Sequence, residues 1–281
     1  MSSQLSSFHK VLNSAKHIIA LCGAGLSAES GIPVQSDPSL VMTFRGEGGY
    51  WRQFAATELA DPKAFLRNPS RVWQFYHYRR ELVMTKSQNR AHKALIEFSK
   101  KVNSANPQTQ TFSVITQNVD GLLTSGGNDN VDGIDNLIEM HGTLFKTRCT
   151  VCGDIRPNRD SPIAPALKGN ESLSFDADIP QDQLPRCNLC TGLLRPHVVW
   201  FHESLDEKVY EKIQAELDRC DLILVIGTSG MVYPAAAFAS AVHRKGGIVV
   251  NFNIEKIGED VAFEFIGPCG ETLPEGWLAF Y

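Results

Sequence analysis

Four cysteines form two pairs whose spacing is typical of a metal site. Cys149-x-x-Cys152 and Cys187-x-x-Cys190 flank a polar connector. Four thiolates match the tetrahedral coordination that zinc prefers, with bonds of about 2.3 Å and no position left for water. A redox dithiol, which needs only one pair, and an iron–sulfur cluster are the alternatives. We predict one structural zinc ion, whose binding supplies stability that the weakly apolar segment lacks.

A glycine-rich turn follows the first predicted strand. That strand, His17–Cys22, is short and mostly apolar, and Gly23-x-Gly25-x-x-Ala28 follows it. The pattern fits the Ala-ended dinucleotide fingerprint, in which a strand-to-helix turn directs backbone N–H groups at an anion. The acidic residue that dehydrogenases place about 20 residues further on is missing, because Asp37 lies in a proline-containing loop. A dinucleotide would therefore be held differently from that in a dehydrogenase. A turn without a ligand is the alternative.

Small or polar residues follow five predicted strands. They are Gly23-Ala24-Gly25, Gln117-Asn118-Val119-Asp120, His141, Gly227-Thr228-Ser229 and Asn253. Ligands of a parallel sheet sit beyond the carboxyl ends of its strands, so we expect these residues to line one cleft. This convergence favours His141 as a general base over a structural histidine. Asn118 and Asp120 are equally compatible with ligand binding and with loop capping.

One predicted helix carries Tyr76 and Arg79 three residues apart. That spacing places both side chains on the same helical face. A guanidinium beside a phenol is a good receptor for a carboxylate. Spacing alone favours the other interpretation, a packed tyrosine and an arginine in a surface ion pair.

The composition excludes several classes of partner. The chain has 281 residues with 43% hydrophobic content, a formal net charge of -4 and a pI of about 6.1. This charge gives no electrostatic reason to expect nucleic acid or an anionic membrane surface. There is also no run of about 18 apolar residues that would span a bilayer. We expect neither nucleic acid nor membrane as a partner.

The N-terminal residues and the cysteines predict the compartment. Met1 to Ser7 is polar and lacks the apolar core of a secretory signal. It is serine-rich and has no acidic residue, like a mitochondrial presequence, but Phe8 and Leu12 already belong to an amphipathic helix that cleavage would cut. Seven cysteines without a secretory signal argue against a disulfide framework. We expect an intracellular protein, with cytoplasm or nucleus favoured.

Strands and helices alternate on both sides of the cysteine segment, which predicts the fold. The class is α/β, with a doubly wound parallel Rossmann-like sheet, an inserted helical module and a small zinc-ribbon domain. We assign residues 8–33, 93–145 and 196–281 to the Rossmann-like NAD-binding domain. Residues 34–92 form the helical insert with the cofactor loop, and residues 146–195 form the zinc-binding module.

Several motifs resemble those of the sirtuin family, and they occur in that family's order. They are Gly23-Ala24-Gly25-Leu26-Ser27, Gly31-Ile32-Pro33, Phe44-Arg45, Thr116-Gln117-Asn118-Val119-Asp120, Glu139-Met140-His141-Gly142, the two cysteine pairs and Gly227-Thr228-Ser229. The resemblance covers nearly the whole chain. Within the family, residues 75–80 and 195–201 look like the class III branch, the desuccinylase and demalonylase sirtuins.

The resemblance implies an NAD-dependent protein-lysine deacylase that consumes NAD as a co-substrate. His141 would deprotonate a ribose hydroxyl, and the products would be nicotinamide, free lysine and O-acyl-ADP-ribose. Cofactor binding would fall to Gly23, Ala24, Gly25, Ser27, Ala28, Glu29, Phe44, Arg45, Gln117, Asn118, Asp120, Gly227, Thr228, Ser229, Asn253, Ile254, Glu255 and Cys269.

The same resemblance implies how an acylated protein lysine binds. Tyr76 and Arg79 would hold the carboxylate of a succinyl, malonyl or glutaryl group. The surrounding peptide would bind as an added strand, contacted by Val198, Trp200, Phe201, Val232 and Tyr233. The resemblance also adds the mitochondrion to the candidate compartments.

Two departures from the family pattern keep other functions open. Val34 to Met42 is inserted between the Ile-Pro and Phe-Arg motifs, in the loop expected to close over the nicotinamide ribose. His202 stands where the family favours glycine, and a histidine would be strained there if the backbone needs a positive φ. The alternatives are an NAD-dependent deacetylase and a catalytically impaired sirtuin that binds NAD or ADP-ribose.

Overall fold

The computed structural model describes residues 2–33, 50–51, 54–105, 109–125, 132–169, 178–258 and 260–277. Phe44, Arg45 and the insertion Val34 to Met42 lie outside these ranges, so the predictions made for them stay predictions.

The main sheet has six parallel strands, which confirms the doubly wound prediction. Its strands are β1 (His17–Cys22), β4 (Thr111–Thr116), β5 (Leu137–Glu139), β9 (Leu222–Ile226), β10 (Ile248–Asn253) and β11 (Phe263–Ile266). Their order across the sheet is β11-β10-β9-β1-β4-β5. The next two strands of this sheet, β4 and β5, thus lie on one side of β1, and the later strands β9, β10 and β11 lie on the other side. In such sheets the ligand site lies where the strand order reverses, here between β1 and β9.

Helices cover both faces of this sheet. Within the described ranges, the α-helices are α1 (Ser2–Ser14), α2 (Ala56–Leu59), α3 (Pro62–Arg67), α4 (Pro69–Met84), α5 (Arg90–Ala105), α6 (Glu207–Arg219), α7 (Phe238–Arg244) and α8 (Cys269–Trp277). Alternate residues of β1 enter opposite cores, because successive strand side chains point to opposite faces. Ile18 packs in the core that contains Phe8 and Trp277. Ile19 packs in the core that contains Ile213 and Val242.

The cysteine segment forms a second, antiparallel sheet. Its strands are β6 (Gly142–Cys149), β7 (Ile155–Pro157) and β8 (Leu194–Val198), in the order β7-β6-β8. The strands β2 (Tyr50–Trp51) and β3 (Phe54–Ala55) form a separate hairpin. The second sheet reaches beyond the predicted module 146–195 at both ends. The domain ranges given above stay a prediction.

The helical insert and the cysteine segment share one hydrophobic core. Trp73 and Tyr76 from α4 pack there with Leu144 from β6 and Leu193. Arg80, which is 1% exposed, reinforces this contact by donating hydrogen bonds to the carbonyls of Leu144, Asn158 and Asp160. The two inserts therefore stabilise each other. Among the described residues, no helix has the length and apolarity needed to cross a membrane.

Candidate active site

The loop after β1 lies directly against the loop after β9. The backbone N–H of Gly25 donates to the carbonyl of Gly227 over 2.7 Å. A Cβ added to Gly25 would lie 2.7 Å from the Cα of Gly227, and Gly227 itself has a positive φ of 57°. Both positions need glycine, because any side chain would separate the loops or strain the backbone. Gly25 and Gly227 therefore allow the loops after β1 and β9 to pack in direct contact at this edge of the sheet.

Three backbone N–H groups of the turn are engaged within the protein. The N–H of Gly23 donates to Ile226, that of Gly25 to Gly227 and that of Leu26 to Gly23. The expectation that the turn binds the anionic part of a dinucleotide stays a prediction. The helix expected after the turn is a 3-10 helix, Ala24–Ser30, which ends at Gly31 in the left-handed conformation.

Side chains of the neighbouring strand ends tie the loops together. The amide group of Gln117 donates to Thr228 Oγ1 over 3.0 Å, and that of Asn118 donates to the carbonyl of Gly23 over 3.0 Å. Asn253 Nδ2 donates to the carbonyl of Thr228 over 2.8 Å. The residues predicted for the cofactor thus also fix the geometry of the site.

A buried hydrogen-bonded chain extends from Asp120. Ser27 Oγ donates to Asp120 Oδ2 over 2.7 Å and lies 3.3 Å from His92 Nε2. The backbone N–H of Asn89 donates to His92 Nδ1, so the ring proton is on Nε2 and faces Ser27. Burial lowers the pKa of His92 to about 4, although Asp120 opposes the shift, and the imidazole is neutral. Sequence reasoning missed His92; its position three residues after a helix-capping asparagine was the available signal.

Glu29 and Cys269 meet at the start of α8. A Glu29 carboxylate oxygen accepts the backbone N–H of Gly270 over 2.5 Å, which satisfies an amide at a helix N-terminus. Cys269 is 4% exposed, and burial raises the pKa of its thiol to about 12. Cys22 and Cys220 are buried as well, as small hydrophobic residues.

His141 has the geometry of a general base. It follows β5, and its Nδ1 lies 3.1 Å from the carbonyl of Gln117. A carbonyl only accepts, so Nδ1 carries the proton and Nε2 keeps its lone pair. Burial lowers the pKa of His141 below the usual 6.5, while the hydrogen bond to Gln117 opposes the shift. The imidazole is therefore uncharged at neutral pH, and the lone pair of Nε2 is available to accept a proton.

Tyr76 and Arg79 both line the cleft from α4. Tyr76 is fully buried, and burial raises the pKa of its phenol to about 12. Arg79 is half-buried, and its Cζ lies 6.0 Å from the centre of the Tyr76 ring. Burial lowers the pKa of Arg79 to about 10, so the guanidinium stays charged at neutral pH.

All described residues that were predicted to act in catalysis or to bind cofactor or substrate line one cleft of about 1310 Å³. The predicted residues on its walls are Gly23, Ala24, Gly25, Ser27, Ala28, Glu29, Tyr76, Arg79, Gln117, Asn118, Asp120, His141, Val198, Trp200, Phe201, Gly227, Thr228, Ser229, Val232, Tyr233, Asn253, Ile254, Glu255 and Cys269. The convergence expected from the strand ends is thus present. The cleft is large enough for a dinucleotide together with an acyl-lysine side chain.

The four paired cysteines have the geometry of a zinc site. Their sulfur atoms all lie within 4.8 Å of one another. Cys149 and Cys190 Sγ are 3.5 Å apart, and Cys152 and Cys187 Sγ are 3.7 Å apart. A tetrahedron with zinc–sulfur bonds of about 2.3 Å has edges of about 3.8 Å, so the sulfur positions fit the ion. The backbone N–H groups of Val151 and Leu189 point at thiols of this cluster, as expected for thiolate ligands.

His202, on the rim of the cleft, has a φ of 68°. This is the left-handed region, which costs a non-glycine residue about 1 kcal/mol. The side chain is 82% exposed and lies 3.8 Å from Asp61, a contact too exposed to offset that cost. The strain expected from the sequence is therefore present at this position.

The comparisons with known proteins identify the class of protein. The Sir2 family model matches residues 23–234. The chain is 50% identical over 280 residues to the NAD-dependent protein deacylase sirtuin-5A, mitochondrial, of Xenopus laevis, covering 97% of this chain and 85% of that protein. The chain therefore belongs to the Sir2 family. The name of this relative gives no support to the cytoplasmic or nuclear location predicted from the N-terminus.

Solved structures give the same fold. A Sir2 homologue in complex with NAD has a TM-score of 0.76 at 33% identity, covering 98% of this chain and 93% of that one. A complex of Sir2 with a p53 peptide and NAD+ has a TM-score of 0.73 at 25% identity, covering 98% of each chain.

The sulfur geometry predicts one equivalent of zinc per chain. Cys187→Ser should lose the metal and lower the melting temperature, because metal binding supplies folding energy to the module. Metal analysis and thermal unfolding measure both effects. Cys220→Ser, which changes a buried cysteine outside the cluster, should keep the zinc. Wild-type protein with well below one equivalent would exclude the four-thiolate site.

The positive φ at His202 predicts a stabilising substitution. His202→Gly should raise the free energy of unfolding by about 1 kcal/mol, because glycine adopts this conformation without strain. His202→Ala is the control: it removes the imidazole but keeps Cβ and the strain, and should change little. Urea denaturation measures all three proteins. A glycine variant no more stable than the alanine variant would contradict the strain.

Proposed function

We propose that the chain removes acyl groups from protein lysines at the expense of NAD, with a preference for acyl groups that end in a carboxylate. Succinyl, malonyl and glutaryl groups have this chemistry. NAD would occupy the loops after β1, β4, β9 and β10, whose amide, hydroxyl and backbone groups suit a dinucleotide. The relative from Xenopus laevis, named a protein deacylase, supports the reaction class, and the mitochondrial label in its name supports a mitochondrial location.

The observation that carries this preference is the pair Tyr76 and Arg79. Both side chains line the same cleft, and both have hydrogens to donate: one neutral phenol and one charged guanidinium. An ionised carboxylate only accepts hydrogen bonds, and charge-assisted bonds are the stronger ones. An acetyl group offers no such partner. Desolvation of Arg79 further favours an anion at this position.

The chain's own residues account for the steps of deacylation. NAD supplies the ribose carbon to which the acyl oxygen adds as nicotinamide leaves. His141 then takes the proton of a ribose hydroxyl at Nε2, since Nδ1 is held by Gln117. Asn118 donates to the carbonyl of Gly23, and Asp120 accepts from Ser27. These two side chains would lie near the nicotinamide. The ribose oxygen would then attack the acyl carbon, and a water molecule would add there as the lysine amine leaves. The products would be nicotinamide, free lysine and O-acyl-ADP-ribose.

The acylated lysine is presented on an extended peptide. Val198, at the end of edge strand β8, and the Val232-Tyr233 segment both line the cleft. Edge strands have unpaired backbone groups that accept an added strand. Tyr233 is 78% exposed and gives the peptide an apolar surface at the rim. The complex of a Sir2 protein with a p53 peptide supports a peptide as the ligand.

The preference is tested with Arg79→Met, which removes the charge and keeps the length of the side chain. The ratio of kcat/KM for a succinyl peptide to that for an acetyl peptide should fall by about ten- to a hundredfold, the value of a charged hydrogen bond. Mass-spectrometric turnover assays measure both substrates. Arg67→Met, which changes an exposed arginine of α3, is the matched control. An unchanged ratio in Arg79→Met would favour the plain deacetylase.

A further inference from the structure

Trp200 makes the one hydrogen bond to the Tyr76 hydroxyl that the described residues reveal. Its indole Nε1 lies 2.9 Å from the hydroxyl oxygen, and both side chains are buried. An indole N–H donates and never accepts, so the phenol oxygen must be the acceptor. The hydroxyl proton therefore points away from the indole. Burial raises the pKa of Tyr76 to about 12, so this proton is present throughout the neutral pH range.

This bond decides what kind of group Tyr76 can recognise. With its oxygen engaged by Trp200, the hydroxyl meets a ligand in the cleft chiefly as a donor. Arg79, one helical turn further along α4, has only donors. Two hydrogen-bond donors on one wall favour a ligand group whose atoms only accept hydrogen bonds. An ionised carboxylate is such a group. To accept a hydrogen bond from a ligand, the hydroxyl oxygen would have to turn its lone pair away from the indole, and the bond to Trp200 would be lost.

The orientation of Trp200 is itself fixed by charged groups. The Arg195 guanidinium lies 3.5 Å above the indole ring. Arg195 also forms a two-pronged pair with Glu203, at 2.6 and 2.8 Å. Glu203 Oε2 accepts the backbone N–H of Trp200 over 2.9 Å. The Phe65 ring packs against the indole with centroids 5.3 Å apart. The indole therefore has little freedom to turn its N–H away from Tyr76.

We propose that Trp200, held by Arg195 and Glu203, is a positioning residue that orients the Tyr76 hydroxyl as a donor and thereby sets the preference for carboxylate-ended acyl groups. This inference rests on the proposed function and extends it. It gives the smaller sheet a part in substrate selection, because Arg195 belongs to β8 and Trp200 follows that strand.

The test is Trp200→Phe, which removes the N–H and keeps an aromatic ring. The ratio of kcat/KM for succinyl to acetyl peptide should fall by about fivefold, the value of one hydrogen bond, and the loss should lie in KM for the succinyl peptide. Arg195→Lys keeps the charge but cannot form the two-pronged pair with Glu203, and it should also lower the ratio. Arg186→Lys, which changes a half-buried arginine of the cysteine segment outside the cleft, should leave the ratio unchanged.

A double-substitution cycle separates positioning from general damage to the fold. Tyr76→Phe removes the hydroxyl, so adding Trp200→Phe to it should lower the ratio no further. Zinc content and thermal unfolding show that each variant is folded. Equal losses on both peptides, or additive losses in the double variant, would overturn the positioning role alone. A wild-type protein without preference for the succinyl peptide would overturn the proposed function and this inference together.

Discussion

The site depends on the contact between two loops at the carboxyl edge of the sheet. Gly25 and Gly227 touch through their backbones, and neither position has room for a side chain. Parallel strands leave their loops at the same edge, but nothing in that arrangement alone brings two loops into van der Waals contact. The glycines do so, and the hydrogen bonds of Gln117, Asn118 and Asn253 then fix the remaining loops around them.

The two insertions complete the other half of the cleft. Tyr76 and Arg79 come from the helical insert, whereas Trp200 follows the last strand of the cysteine sheet. These segments share a hydrophobic core and the buried Arg80, so neither pocket wall forms independently. The zinc site lies on the same sheet that delivers Trp200. Under the proposed role of Trp200, the sheet that carries the zinc site would also take part in substrate selection.

Much of this architecture was predictable from the sequence, because it depends on local patterns. Buried parallel strands such as β9 are short apolar runs, and the paired cysteines have a spacing that few functions other than metal binding require. The unpredicted parts depend on contacts between distant residues. The strand β11 lacks a continuous apolar run, and α8 contains Pro274, so neither has a clear local signal.

The same distinction applies to the site. Sequence order placed His141 at a strand end, but only the structure pairs its Nδ1 with the carbonyl of Gln117. His92 and Trp200 act through partners that lie 65 and 124 residues away in the chain. The sequence also carried no sign that the N–H of Gly25 joins the loop after β1 to the loop after β9. The spacing of residues in the sequence indicates the kind of chemistry, whereas the hydrogen-bond partners of those residues can be assigned only from the folded structure.

In the proposed reaction, the edge of the sheet formed by the touching loops would present a neutral, correctly oriented His141 imidazole to the bound ribose. Nitrogen-15 NMR of the histidine rings, with His141 assigned through His141→Asn, measures this directly. We expect a protonated Nδ1, an unprotonated Nε2 and a pKa below 6.5 for this ring. A proton on Nε2 in the neutral ring, or a pKa above 6.5, would contradict it.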